Sequence, residues 1–198
     1  LYDTYGIPIE LTVELAEKEN AEVDVKGYKK AFEKHQEVSK AGMDRKFRGG
    51  IGDESYESIK LHTATHLLLQ ALRQIVDKNI EQRGSNITAE RLRFDFNYDR
   101  PLTEEQKNRI ERLVNKKIKE NLKVKCEEMS VNEAKSKGAI GIFHDKYGEK
   151  VKVYSIGNFS KEICGGPHVK NTKELGKFKI LKEKSISAGV RRIRAILE

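Results

Sequence analysis

Apolar positions recur along the chain in two rhythms, and the change from one to the other divides it. Up to about residue 50 the rhythm is helical. Pro8 and Thr12 suit a helix start near Ile9, with Leu11, Leu15 and Ala16 on one face. Asp24 suits the cap of a second helix, in which Tyr28, Ala31, Phe32, His35 and Val38 recur at helical spacing. The stretch from Ala41 to a glycine pair at Gly49 and Gly50 reads as a linker. Residues 1–50 are therefore expected to form a helical segment, and residues 51–198 a separate domain.

The second part mixes periods. Leu61, Thr65, Leu68, Leu72 and Ile75 recur every three or four residues and mark an amphipathic helix. Leu92, Phe94 and Phe96 alternate with Arg91, Arg93 and Asp95, the pattern of a half-buried strand. Pro101 and Thr103 introduce another helix that carries Ile110, Leu113, Val114 and Ile118, its opposite face rich in Lys and Arg. Shorter strands are expected around Val124, Val151 to Tyr154, Phe178 to Leu181 and Val190 to Ala195. The sum predicts an α+β fold, a mainly antiparallel sheet packed with long helices and preceded by a small helical segment.

Composition narrows the class. Of 198 residues, 37% are hydrophobic and 35% charged, enough for one ordinary core under a heavily charged surface. The net charge of +8 attracts phosphate polymers whatever their sequence, although a solvated surface accounts for it equally well. Trp is absent and the seven Phe and seven Tyr are scattered, so no stacking platform for single strands stands out. No apolar run approaches the roughly 18 residues of a membrane span. The opening Leu1-Tyr2-Asp3-Thr4-Tyr5-Gly6 is no signal peptide and lacks Met, so the chain reads as a piece of something longer. Two cysteines, Cys126 and Cys164, give no disulfide framework and point to a reducing, cytoplasmic setting.

Two short motifs carry chemistry. In His62-Thr63-Ala64-Thr65-His66 the imidazoles stand one helical turn apart on one face, where they can share a metal ion. The Glu that follows the first His in zinc proteases is missing, so that chemistry is not supported. In Cys164-Gly165-Gly166-Pro167-His168 the glycines and proline forbid an ordinary helix, and a turn presents thiol and imidazole together. His62, His66, Cys164 and His168 make a donor set that suits zinc, against the alternative of four unconnected core residues. Cys164 as a nucleophile with His168 as its base is the other reading, but it leaves the upstream histidines without a role. Cys126, in a Lys-rich strand with no His nearby, reads as packing.

Phosphate contacts have two candidates. Gln82-Arg83-Gly84-Ser85 reads as a polar turn offering an amide, a cation and backbone donors. In the segment from Ser187 to Arg194, Arg192 and Arg194 share a strand face and can grip phosphates by forked hydrogen bonds. Solvated edge charges that blunt aggregation explain either arginine as well.

Assembled, these residues resemble part of an alanyl-tRNA synthetase over nearly the full length. Leu1 to Thr12 resembles the close of that family's tRNA-recognition region. Phe47-Arg48-Gly49-Gly50-Ile51 with Leu61-His62-Thr63-Ala64-Thr65-His66-Leu67-Leu68 resembles the entry to its editing domain. Gln82 to Ser85, Arg91 to Phe96, Cys164-Gly165-Gly166 with His168-Val169, and Ser187 to Ile193 follow in the family's order.

The resemblance extends to free-standing alanyl-tRNA editing proteins and implies hydrolysis of the ester joining serine, or glycine, to tRNA(Ala). Zn2+ would be held by His62, His66, Cys164 and His168. Gln82 would line the pocket beside the ester, with Thr63 or Ser85 as hydroxyl partners and Cys164, Gln82 and Thr63 as the catalytic set. Arg83, Gly84, Ser85, Arg192 and Arg194 would meet the acceptor end of the tRNA. The family's aminoacylation machinery precedes this stretch, so none is expected of these residues. Where the family usually has threonine, this chain has Pro167, as in the threonyl-tRNA synthetase editing motif, which removes a hydroxyl and one backbone donor. Proofreading of this kind follows from chemistry, because a small apolar pocket rejects neither serine nor glycine strongly. The competing readings are a zinc-containing tRNA-binding module without catalysis, and a metal-dependent hydrolase of small esters or amides.

Overall fold

A computed structural model describes residues 9–34, 51, 55–141 and 150–198. The chain divides into two compact units, Leu1–Arg45 and Lys46–Glu198. His35, Val38 and the stretch 41–50, read above as helix end and linker, lie outside the described residues.

In the first unit, helix α1 spans Ile9–Lys18, and none of its residues is buried. The apolar face expected there is exposed at Leu11 and Leu15. Helix α2 covers 25–34. Asp24 caps it, its Oδ1 accepting the Gly27 N–H at 2.7 Å, and the Tyr28 and Phe32 rings stack 5.8 Å apart one turn on.

The second unit is built around helix α3, Tyr56–Ile75, with the Ser55 hydroxyl accepting the Ser58 N–H at its start. Strands β1 (Gln82–Thr88), β2 (Arg91–Asn97), β6 (Phe178–Ser187) and β7 (Val190–Leu197) form an antiparallel sheet in the order β1-β2-β7-β6. Helix α4, Glu104–Lys119, starts at a reciprocal cap between Thr103 and Gln106 and buries Ile110, Val114 and Ile118. The main core joins these elements: Leu61, Leu68, Leu72, Phe94, Phe96, Ile110, Phe178 and Ile193 are all buried in it. Each such side chain contributes on the order of 1.5–3 kcal/mol by leaving water.

A second antiparallel sheet, β3 (Val124–Ser130), β4 (Lys150–Ile156) and β5 (Ser160–Ile163), follows the order β3-β4-β5. With the short helix α5, Val131–Ser136, it encloses its own cluster of Met129, Ala134, Val151, Val153 and Ile163. The fold is α+β with antiparallel sheets and a helical segment before them.

Three expectations change. Gln82 to Ser85 is not a turn but the start of β1, paired with β2 and irregular in register between Gln82 and Gly84. Pairing to β2 supplies the backbone partners that a free turn would leave to solvent. Cys126 is exposed on β3 rather than packed. Arg192 and Arg194 lie on β7, a central strand, so protection of a sheet edge does not explain them. The true edge at β6 is held by α4: Asn115 exchanges hydrogen bonds with the Phe178 N–H and C=O, and Glu111 accepts the Ile180 N–H.

Candidate metal centre

Four donors converge where α3 meets the chain leaving β5. His62 and His66, one turn apart on α3, are 2% and 3% exposed. After β5 the chain runs from Cys164 to Val169 without regular structure, and the Cys164 N–H is fixed to the Lys152 carbonyl at 3.0 Å. One ligand atom from each of His62, His66, Cys164 and His168 lies within 4.8 Å of the other three. Cys164 Sγ is 3.4 Å from His62 Nε2. The His168 ring stacks on His62 with centroids 4.3 Å apart and meets His66 edge-on at 4.5 Å.

The far side of each imidazole is held. His62 Nδ1 donates to the Pro167 carbonyl at 2.9 Å, so Pro167 serves the cluster through its backbone oxygen while the residue itself is exposed. His66 Nδ1 lies 3.1 Å from Glu162 Oε2, an oblique contact of charge rather than an aligned hydrogen bond. Glu162 is 1% exposed and receives the Ser160 hydroxyl at 2.8 Å.

Thr63 Oγ1 donates to the Ile59 carbonyl, accepts the Val169 N–H, and stands 3.2 Å from His168 Nδ1. A hydroxyl has one donor and two acceptor sites, so this arrangement is complete only if His168 Nδ1 carries the proton. His168 Nε2 is then an acceptor, and it is buried with no hydrogen-bond partner among the described residues. Held Nδ1 atoms with Nε2 atoms turned inward are the usual outer support of a metal-binding histidine set. A tetrahedral zinc with bonds of about 2.0–2.3 Å sets its donors roughly 3.3–3.8 Å apart, so the cluster needs little contraction. Three imidazoles and one thiol fit that ion.

Groups of the cluster shift one another's hold on protons. Burial alone raises the Cys164 thiol, but the three imidazoles around it, His168 first, then His62 and His66, outweigh it and hold the thiol well below its usual range. Burial lowers His66, yet the Glu162 charge and Cys164 carry it up to about 10. Burial, then the charge of His66, push His168 down to about 3, which keeps that ring neutral. Tyr154 closes one side, its ring 4.2 Å from His168, and burial raises its phenol above the usual range.

Other residues singled out by the sequence fall elsewhere. Ser85 pairs opposite Phe94 and Gln82 opposite Phe96, on the helix-facing side of the sheet, and none of the cluster contacts above involves them. Arg83 is exposed beside Glu81 at 3.3 Å, and Gly84 pairs opposite Asp95. Arg192 is engaged by Asp95 through two bonds of 2.6 and 2.7 Å, which occupies the fork expected to grip phosphate. Arg194 is exposed. The Thr63 hydroxyl is engaged by the Ile59 carbonyl, the Val169 N–H and His168, and so holds the His168 ring. Sequence reasoning missed Glu162 and Tyr154. Glu162 had a signal: two residues before Cys164 on extended chain, it points to the same side.

Thr63→Val is expected to weaken zinc binding about 10–100-fold by releasing His168, as loss of an outer partner does. Thr63→Ser should restore most of it. Equal affinity in competition with a zinc chelator for all three proteins would refute this role.

Two family models match the chain. Residues 1–93 match "tRNA synthetases class II (A)", and residues 151–194 match "Threonyl and Alanyl tRNA synthetase second additional domain". His62 and His66 lie in the first stretch, Cys164 and His168 in the second. The two matches liken the chain to class II tRNA synthetases that carry this additional domain.

An alanine–tRNA ligase from Treponema pallidum (strain Nichols) is 55% identical over 198 residues, 100% of this chain and 33% of that protein. The ligase of Borrelia hermsii (strain HS1 / DAH) is 54% identical over 197 residues, again 100% and 33%. That of Petrotoga mobilis (strain DSM 10674 / SJ95) is 53% identical over 137 residues, 69% of this chain and 16% of that protein. The chain belongs to the alanine–tRNA ligase family and spans about a third of the length of the curated relatives it matches.

Proposed function

We propose that this chain is the proofreading part of an alanine–tRNA ligase, which hydrolyses the ester of tRNA(Ala) wrongly charged with serine or glycine. The donor set of buried His62 and His66 with half-buried Cys164 and His168 carries this reading, with its Nδ1 atoms held and the buried His168 Nε2 without a partner among the described residues. Zn2+ bound there supplies a Lewis acid that positions or polarises the ester or a water molecule. Thr63, the Pro167 carbonyl and Glu162 keep the three rings in register. Gln82 and Ser85, on the helix-facing side of β1, are the groups assigned to the aminoacyl end. Arg83, Gly84 and Arg194 are assigned to the acceptor end of the tRNA; Arg192 contributes through Asp95. A cytoplasmic setting goes with this substrate, and no helix among the described residues is long and apolar enough to cross a membrane.

A second reading has its own support. Four protein donors complete a tetrahedron without a place for water. The four ligand residues also line neither of two cavities, of about 710 and 610 Å3. Both facts suit a zinc that shapes a tRNA-binding module and takes no part in chemistry.

Release of labelled serine from serine-charged tRNA(Ala), beside the same tRNA charged with alanine, separates the two. The proofreading reading expects fast release of serine and little of alanine. No release at high protein concentration, with zinc and tRNA bound, leaves the binding module.

A further inference from the structure

The outward side of the four-stranded sheet is a cationic surface. Register places Arg91, Arg93 and Asp95 of β2 on that side, with Arg192 and Arg194 of β7 and Lys182 and Lys184 of β6. Asp95 is the one carboxylate among these positions, and Arg192 engages it with both bonds of its fork. The adjacent row has no such relief: Asn86, Arg93, Arg194 and Lys182 stand opposite one another across the four strands.

Like charges directly opposite on neighbouring strands destabilise a sheet. Here three lie in line, through the two central strands, where edge protection offers no reason for them. Arg93 shows the strain. Its Nε is buried with no acceptor among the described residues, and burial, then Arg192 and Arg91, lower its hold on the proton by more than Asp95 restores.

We propose that this outward face binds the sugar-phosphate backbone of an RNA, with Arg93, Arg194 and Lys182 as its contacts. Strand spacing puts Arg93 and Lys182 about 10 Å apart. No aromatic side chain stands among these positions, so bases are not stacked and the contact reads charge rather than sequence. The face is distinct from the metal centre. It rests on the reading above in taking tRNA as the RNA concerned, shares Arg194 with it, and adds Arg93 and Lys182.

The test titrates a fluorescently labelled tRNA(Ala) transcript with the parent chain and with Arg93→Gln/Arg194→Gln, over a range of salt. The double variant is expected to bind more weakly at low salt, with the slope of log K against log salt shallower by about 1.5–2. The parent's advantage should shrink about tenfold between ~50 and ~200 mM salt. A tRNA transcript of another sequence should lose as much. The melting temperature should be unchanged or higher, since a repulsion is removed, and bound zinc should be unchanged.

Equal affinity and equal slope for parent and variant overturn the proposal. So does loss of binding to a glutamate-rich peptide without loss of binding to RNA, which assigns the face to an acidic protein partner. A shallower slope from a chain that releases no serine removes the hydrolytic reading and leaves this one standing; serine release with an unmoved slope does the reverse.

Discussion

Cys164→Ala is expected to take bound zinc from stoichiometric to near none after dialysis, and to lower serine release from serine-charged tRNA by far more than 100-fold. The comparison is with an outer-partner change, which costs roughly 10–100-fold. Cys164 supplies the one thiol of the cluster, and three neighbouring imidazoles hold that thiol well below its usual range. Without it three rings face a dication, and Glu162, the carboxylate beside His66, is engaged by the Ser160 hydroxyl. Cys126→Ala is the control: exposed on β3, it should keep both zinc and activity. Zinc content by elemental analysis and serine release under single-turnover conditions read the two effects separately. Retention of full zinc by Cys164→Ala would remove the thiol from the ligand set, whatever the activity.

Glu183→Ala is expected to be the most damaging substitution outside the metal centre. Glu183 on β6 and Arg191 on β7 pair on the core side of the sheet, with side chains 4% and 10% exposed. Removal of one partner leaves a buried charge alone, which costs about 3–5 kcal/mol. For a chain of this size that is a fall in melting temperature of roughly 6–20 °C. The double change Glu183→Leu/Arg191→Leu should recover most of the loss, because a well-packed apolar pair replaces a buried ion pair at little cost. A melting temperature for Glu183→Ala within about 2 °C of the parent, equivalent to less than ~1 kcal/mol, would show that water reaches this pair.

The period of the apolar positions was readable wherever one face alone is buried. β2 alternates buried and half-buried residues along its length, and α4 buries Ile110, Val114 and Ile118 at helical spacing. Reading failed at irregular register. A bulge between Ile180 and Lys182 turns Glu183 toward the core, although the Lys-rich sequence around it reads as solvent-facing. The irregularity at Gln82 and Gly84 likewise hid the start of β1 behind residues typical of a turn.

At the site, the four donors were legible because Cys and His at short spacing are chemically distinctive. Their supports were not. Thr63 reads as one more helix residue, and Glu162, in a four-residue strand beside Lys161, reads as surface charge until His66 is placed against it. The pairing of Arg192 was hidden for the same reason: its partner, Asp95, is 97 residues away in sequence.

The separation of the two halves of the metal centre has a consequence for folding. His62 and Cys164 are 102 residues apart in the chain, one on the central helix and the other just past the second sheet. An ion that joins them acts as a cross-link, and closing a loop of about 100 residues removes on the order of 4–5 kcal/mol of chain entropy from the unfolded state on the loop-closure model. The sheet of β3, β4 and β5 has a small apolar cluster of its own and joins the main core through Ile156 and Val124, and this tie adds to that attachment. Loading of such an ion would then bear on whether the domain opens as one cooperative body or in two stages, the smaller sheet first.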